Sequence, residues 1–218
     1  MKSLFNLLLL VSLLLTTLAT CNKSKPKILI IGDSISIGYT PFVKENLIER
    51  AEVYHNPGNA QHTGTGVNKI EEWLGDQDWD IIQFNWGLWD LCYRHPDSKV
   101  QGNRDKVNGA ITYQVEDYAA NLDSIVILLK QNTEAKLIFV STTYVPAEEA
   151  GRFVEDPIRY NIVAKKIMEK HSIDINDIYE ESKNIHQAFG KGPDDVHYSK
   201  AGYEKLGLVI TQFLEKQL

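Results

Sequence analysis

Lys27-Ile28-Leu29-Ile30-Ile31-Gly32-Asp33-Ser34-Ile35-Ser36-Ile37-Gly38 is the stretch on which the reading of this chain turns. Residues 27–31 form a short continuous apolar run of branched side chains, the pattern of a buried strand. Gly32 then lets the backbone turn sharply. A Ser at the carboxyl end of the first strand of an α/β sheet sits where such folds build their ligand crevice. Its hydroxyl becomes a nucleophile only when a base takes its proton. The far end of the chain offers one in Asp194-Asp195-Val196-His197, just before a helical stretch. In a turn, the spacing of Asp194 and His197 lets the carboxylate hold one ring nitrogen while the other faces Ser34. Each motif alone is commonplace; their placement at the end of the first strand and before the last helix is what carries weight. Without that pairing, Asp33 and Ser34 would be a capped turn and His197 a surface residue.

Outward from this turn, strand-like runs alternate with helical ones. Strands are expected at 27–31, 52–56, 80–85, 136–141 and 173–178, with helices at 41–50, 66–74, 111–131, 157–171 and 199–216. Val115, Tyr118, Leu122, Ile125 and Leu129 recur at helical spacing and mark a core-facing stripe. Ser199 caps the last helix, which places the Asp194–His197 turn at its start. Such alternation predicts an α/β fold with a parallel sheet and right-handed crossovers.

Residues 1–21 read as a targeting segment: Lys2 gives a positive start, and residues 7–15 an apolar core too short for a membrane span. Leu18-Ala19-Thr20-Cys21 resembles a bacterial lipobox with Cys21 as the lipidated residue, and 22–26 form a polar, proline-ended tether. The expectation is a domain over 27–218 in the bacterial cell envelope, lipid-anchored, or secreted. A chain of 218 residues leaves enough for one α/β domain with a sizeable core. The formal net charge is −6, and loss of the leader makes it more negative by removing Lys2. That argues against nucleic acid as a partner and against membrane contact other than through a lipid anchor. Cys92 is then the remaining thiol, so no internal disulfide is expected. The six histidines are scattered without His-Glu-x-x-His or paired-Cys spacing, so no metal and no cofactor is expected. A phosphate-binding loop at Gly32–Gly38 is a weaker alternative, because it leaves Asp194 and His197 without a role.

Gly32-Asp33-Ser34-Ile35 and Asp194-x-x-His197 resemble the first and last signature blocks of the SGNH (GDSL-type) hydrolase superfamily. The resemblance spans about Lys27 to Leu218 and implies a flavodoxin-like three-layer α/β/α sandwich around a mainly parallel five-stranded sheet. It gives Ser34 the role of nucleophile, His197 that of base and Asp194 that of orienting group. The two middle blocks depart from the family. Its second-block Gly, an oxyanion donor through its N–H, aligns with Gln61, whose backbone N–H can still donate. Its third-block Gly-x-Asn-Asp reads Gly87-Leu88-Trp89-Asp90 here, with Trp89 in place of the donor Asn. Ser34 N–H, Gln61, Asn59 and Asn85 are therefore the oxyanion candidates.

Two irregular stretches, 90–109 and 144–153, follow the third and fourth strands and would flank the crevice. Trp86, Trp89, Asp90, Arg94 and Tyr144 are the candidate substrate-pocket residues, although core packing is slightly the better reading of Trp86. The implied function is a serine esterase working through an acyl-enzyme on a small-molecule or glycan ester, with carbohydrate O-acetyl esters preferred by the resemblance. The alternatives are a lipid esterase or acyltransferase, and a non-catalytic glycan-binding lipoprotein that kept the fold.

Overall fold

A computed structural model describes residues 24–218. The leader and the lipidation residue Cys21 lie outside the described residues. All five expected strands form: β1 (Lys27–Ile31), β2 (Glu52–His55), β3 (Ile81–Phe84), β6 (Lys136–Val140) and β7 (Asp174–Asn176). They make one sheet in the order β2-β1-β3-β6-β7, parallel at every pairing. Two small ribbons, β4 (Tyr93–Arg94) with β5 (Ala110–Ile111) and β8 (Gly190–Gly192) with β9 (Asp195–Tyr198), stand apart from it.

Strand alternation divides the core in two. Leu29, Ile31, Ile82, Phe84, Leu137 and Phe139 face one layer of helices: α2 (Thr63–Leu74), α3 (Val115–Asn132) and α4 (Asp156–His171). Ile28, Ile30, Ile81, Ile138 and Val140 face the other, where α1 (Ser34–Asn46) packs on α6 (Lys200–Leu214) beside α5 (Tyr179–Phe189). Continuous apolar strands are what a sheet covered on both faces requires. This is the expected three-layer α/β/α sandwich.

Two helices differ from expectation in ways that matter for the site. Pro41 was expected to open the first helix; instead Pro41 lies inside α1, which starts at Ser34. The Asp33 carboxylate accepts from the Ile35 N–H at 2.9 Å and caps the helix there. The first helix therefore springs directly from the Ser34 turn. Helix α5 has no counterpart in the sequence reading, because it buries only Ser182 and His186 and offers no apolar stripe.

Candidate active site

Ser34 is the first residue of α1, at the carboxyl edge of β1, the second strand of the sheet order. Two contacts pin its turn. The Gly32 N–H donates to Asn56 Oδ1 at 3.0 Å, and the Gly32 carbonyl accepts from the Ala60 N–H at 3.0 Å. Beneath it, Ser36 Oγ lies 2.7 Å from His55 Nε2 and 2.8 Å from the Asp33 carbonyl, tying the end of β2 to the same turn.

His197 arrives on β9, and its Nε2 lies 2.9 Å from Ser34 Oγ. The carboxylate on the other ring nitrogen is that of Asp195, with Oδ1 at 2.5 Å from Nδ1. Asp194, the expected partner, is exposed and does not reach the ring. The reason is local. Residues 195–198 form a strand rather than a turn, so alternate residues 195 and 197 share a face. The same Asp195 oxygen also accepts from the His197 N–H at 2.9 Å. Partial burial pushes the Asp195 carboxyl up, but the two His197 hydrogen bonds and the imidazole outweigh it and hold the pKa below the usual carboxylate value. With Asp195 accepting at Nδ1, the network assigns the proton to Nδ1 and leaves Nε2 free to accept from Ser34. Asp33, fully enclosed, is pushed up by burial against the pull of the Ile35 N–H, Arg152 and His197.

Ser34, Asp195 and His197 open onto a cavity of about 180 Å³, walled by Trp89, Arg94, Arg104 and Arg152 among others. Trp89 and Arg94 thus stand on the cavity. The other three expected pocket residues do not. Trp86 is 1% exposed, stacks against Trp73 and donates its indole N–H to the Ala60 carbonyl at 3.2 Å: it is core. Asp90 is buried beneath the site, where Oδ1 accepts from Thr63 N–H at 2.9 Å and Thr63 Oγ1 at 2.5 Å. Burial lifts its pKa to about 7. Tyr144 lines a separate cavity of about 420 Å³ with Pro146, His186 and Pro193.

The oxyanion candidates sort the same way. Asn85 gives its side-chain amide to the Val140 carbonyl at 2.7 Å, across to β6. Gln61 donates its N–H to Asn59 Oδ1 at 2.8 Å, which occupies the Gln61 main-chain donor and the Asn59 acceptor oxygen. Gln61 also stands at φ +52°, a left-handed conformation that favours glycine, in line with the Gly that the resemblance places there. The Ser34 N–H, at the amino end of a helix of 13 residues, is the donor whose place suits a developing negative charge. Arg104 and Arg152 were not among the expected site residues. Arg152 lies in the 144–153 stretch, but its seat depends on its Nε bond to the Leu88 carbonyl, 64 positions away, as well as on buried Glu149 three residues before it.

No protein-family model matches the chain, and no curated protein matches it. Among solved structures, the lipase/acylhydrolase from Enterococcus faecalis superposes with a TM-score of 0.70 at 19% identity, covering 88% of this chain and 97% of that one. The chain shares the fold of that enzyme. An acetyl xylan esterase follows with a TM-score of 0.67 at 14% identity, over 86% of this chain and 99% of that one. A catalytic mutant of an acetylxylan esterase from Geobacillus stearothermophilus gives 0.63 at 18%, over 86% and 93%. At these identities the likeness is one of architecture. Among the described residues, no group of three or more His, Cys, Asp or Glu side chains is arranged to hold a metal ion.

Proposed function

We propose that this protein is a serine ester hydrolase for short-acyl esters, carbohydrate O-acetyl esters foremost. The observation that carries the reading is the unbroken chain from Ser34 Oγ to His197 Nε2 at 2.9 Å and from Nδ1 to Asp195 at 2.5 Å, opening on a cavity. A volume of about 180 Å³ suits an acetyl group and the atoms next to it, not a long acyl chain. Solved structures of the same architecture include a lipase/acylhydrolase and an acetyl xylan esterase, which favours ester cleavage over other serine chemistry.

In this mechanism Ser34 Oγ bonds to the ester carbonyl carbon as its proton passes to His197 Nε2. Asp195 holds the tautomer and stabilises the imidazolium. The carbonyl oxygen takes the negative charge facing the Ser34 N–H and the α1 terminus. Collapse breaks the bond to the alcohol oxygen, which leaves with the proton from Nε2. Water then attacks the acyl-Ser34 carbonyl as its proton passes to His197 Nε2; the acyl–Oγ bond breaks, Ser34 Oγ takes the proton from Nε2, and the acid is released. The domain works at the bacterial envelope, tethered through Cys21.

The test is hydrolysis of a short aryl acetate by residues 23–218, beside Ser34→Ala and His197→Ala. Turnover lost in both variants, with folding unchanged, supports the reading. No turnover in the parent chain and no phosphonate adduct on Ser34 would favour the glycan-binding alternative. That alternative draws on the commitment of the Gln61 N–H and the Asn85 amide to other partners.

A further inference from the structure

Three guanidinium groups, those of Arg94, Arg104 and Arg152, stand on the cavity into which Ser34 opens, and two of them share one carboxylate partner. Glu149, 0% exposed, accepts from Arg104 Nη1 at 2.5 Å and from Arg152 Nη1 at 2.8 Å. Arg152 is spent on structure: it is 5% exposed and its Nε donates to the Leu88 carbonyl at 2.6 Å. Arg104 turns its Nε to the Gln101 carbonyl at 3.0 Å and keeps its side chain partly open to solvent.

Arg94 has no carboxylate partner among the described residues. Its Cζ lies 4.9 Å over the Trp89 ring, and its Nη1 donates to the Gly102 carbonyl. The loop is shaped around it: Gly102 stands at φ +74°, and a Cβ there would come within 3.0 Å of Arg94 Nη1. The carboxylates of the cavity are engaged elsewhere, Asp33 with the Ile35 N–H and Asp195 with His197. The arginine wall of the cavity is therefore cationic, pre-formed and only partly neutralised.

We propose that Arg94 and Arg104 bind the carboxylate of an acidic sugar, so that the substrate is an O-acetyl ester of a uronic acid. This rests on the esterase reading for the place of the ester at Ser34. A planar guanidinium fork matches a carboxylate in two parallel hydrogen bonds. The cavity, about 180 Å³, is too small for a lipid chain, three arginines stand on its wall, and one face of Trp89 is already covered by Arg94. Recognition on this wall thus comes from charge rather than from ring stacking.

The experiment compares kcat/KM for acetylated methyl galacturonide and acetylated methyl galactoside, which differ in bearing a carboxylate or a hydroxymethyl group. The parent protein should prefer the uronide about tenfold or more, the scale of hydrogen bonds to a charged group. Added salt should shrink that preference. Arg94→Gln should bring the ratio close to one, and Arg94→Lys should restore part of it. In parallel, Ser34→Ala protein should bind uronic-acid oligosaccharides and not neutral xylo-oligosaccharides in calorimetry. Equal kcat/KM for the matched pair, no uronate binding by Ser34→Ala, or preference for a matched sugar phosphate would each overturn the proposal while leaving aryl acetate turnover intact. Absence of aryl acetate turnover and of a Ser34 adduct instead sinks the esterase reading, and uronate binding by Ser34→Ala then stands as its own result.

Discussion

Replacing each of the two adjacent aspartates by asparagine separates their roles. Asp195 Oδ1 accepts both from the His197 main chain at 2.9 Å and from Nδ1 at 2.5 Å. In Asp195→Asn the amide oxygen still serves one of these bonds, so β9 keeps its place, and a half-exposed position costs within about 0.5 kcal/mol of stability. The chemistry does not survive so well. A neutral amide does not stabilise the imidazolium. If its NH₂ turns to Nδ1, the ring proton moves to Nε2, where it blocks transfer from Ser34. Loss of the orienting carboxylate in this arrangement costs about 10⁴ in kcat, or roughly 5 kcal/mol of barrier. Asp194 is exposed and has no bond to the ring, so Asp194→Asn should stay within about threefold of the parent. Steady-state kcat on a short aryl acetate, with thermal unfolding as the control for folding, reads both. A hundredfold loss in Asp194→Asn beside a nearly active Asp195→Asn would refute the argument from strand alternation and restore the Asp-x-x-His spacing.

Two further outcomes test other parts of the structure. Burial holds Asp90 at about pH 7 in the folded protein, against about 3.9 when unfolded, so the folded state keeps a proton that the unfolded chain releases. Stability should therefore fall by roughly 4 kcal/mol between about pH 4 and pH 7 on this account, and Asp90→Asn should flatten the profile in urea unfolding at pH 5 and pH 8; an unchanged slope would contradict it. Gln61→Gly, at φ +52°, should raise stability by about 1 kcal/mol by relieving a left-handed conformation, and an unfolding midpoint that drops would show that its side chain matters more.

How far the sequence reaches can be traced residue by residue. The strands were legible because 27–31, 81–84 and 136–140 are short apolar runs with no competing periodicity. Ser34 and His197 were legible from their places at the start of the first crossover and before the last helix. Asp195 was not, because the choice between adjacent aspartates depends on whether 194–197 is a turn or a strand. That in turn is set by pairing with β8, which lies beyond a helix that has no apolar stripe. Asp90 looked like a wall residue by position, yet it points inward to Thr63, a contact between segments 27 positions apart. Arg152 is held locally by Glu149 but is aimed by its bond to the Leu88 carbonyl, 64 positions away, which local pattern does not signal.

The two halves of the reacting pair are anchored very unequally. Ser34 rises from a fully enclosed strand held by neighbours on both sides. His197 rides on a short two-stranded ribbon outside the main sheet, moored by the buried side chains of Val196 and Tyr198, by the His186 ring to the Asp195 carbonyl at 2.7 Å and by the Glu148 N–H to the Pro193 carbonyl at 3.1 Å. A ribbon of this kind opens at a fraction of the free energy needed to unfold the domain. Warming should therefore silence the chemistry before the protein melts, and cooling should bring it back without any refolding of the core.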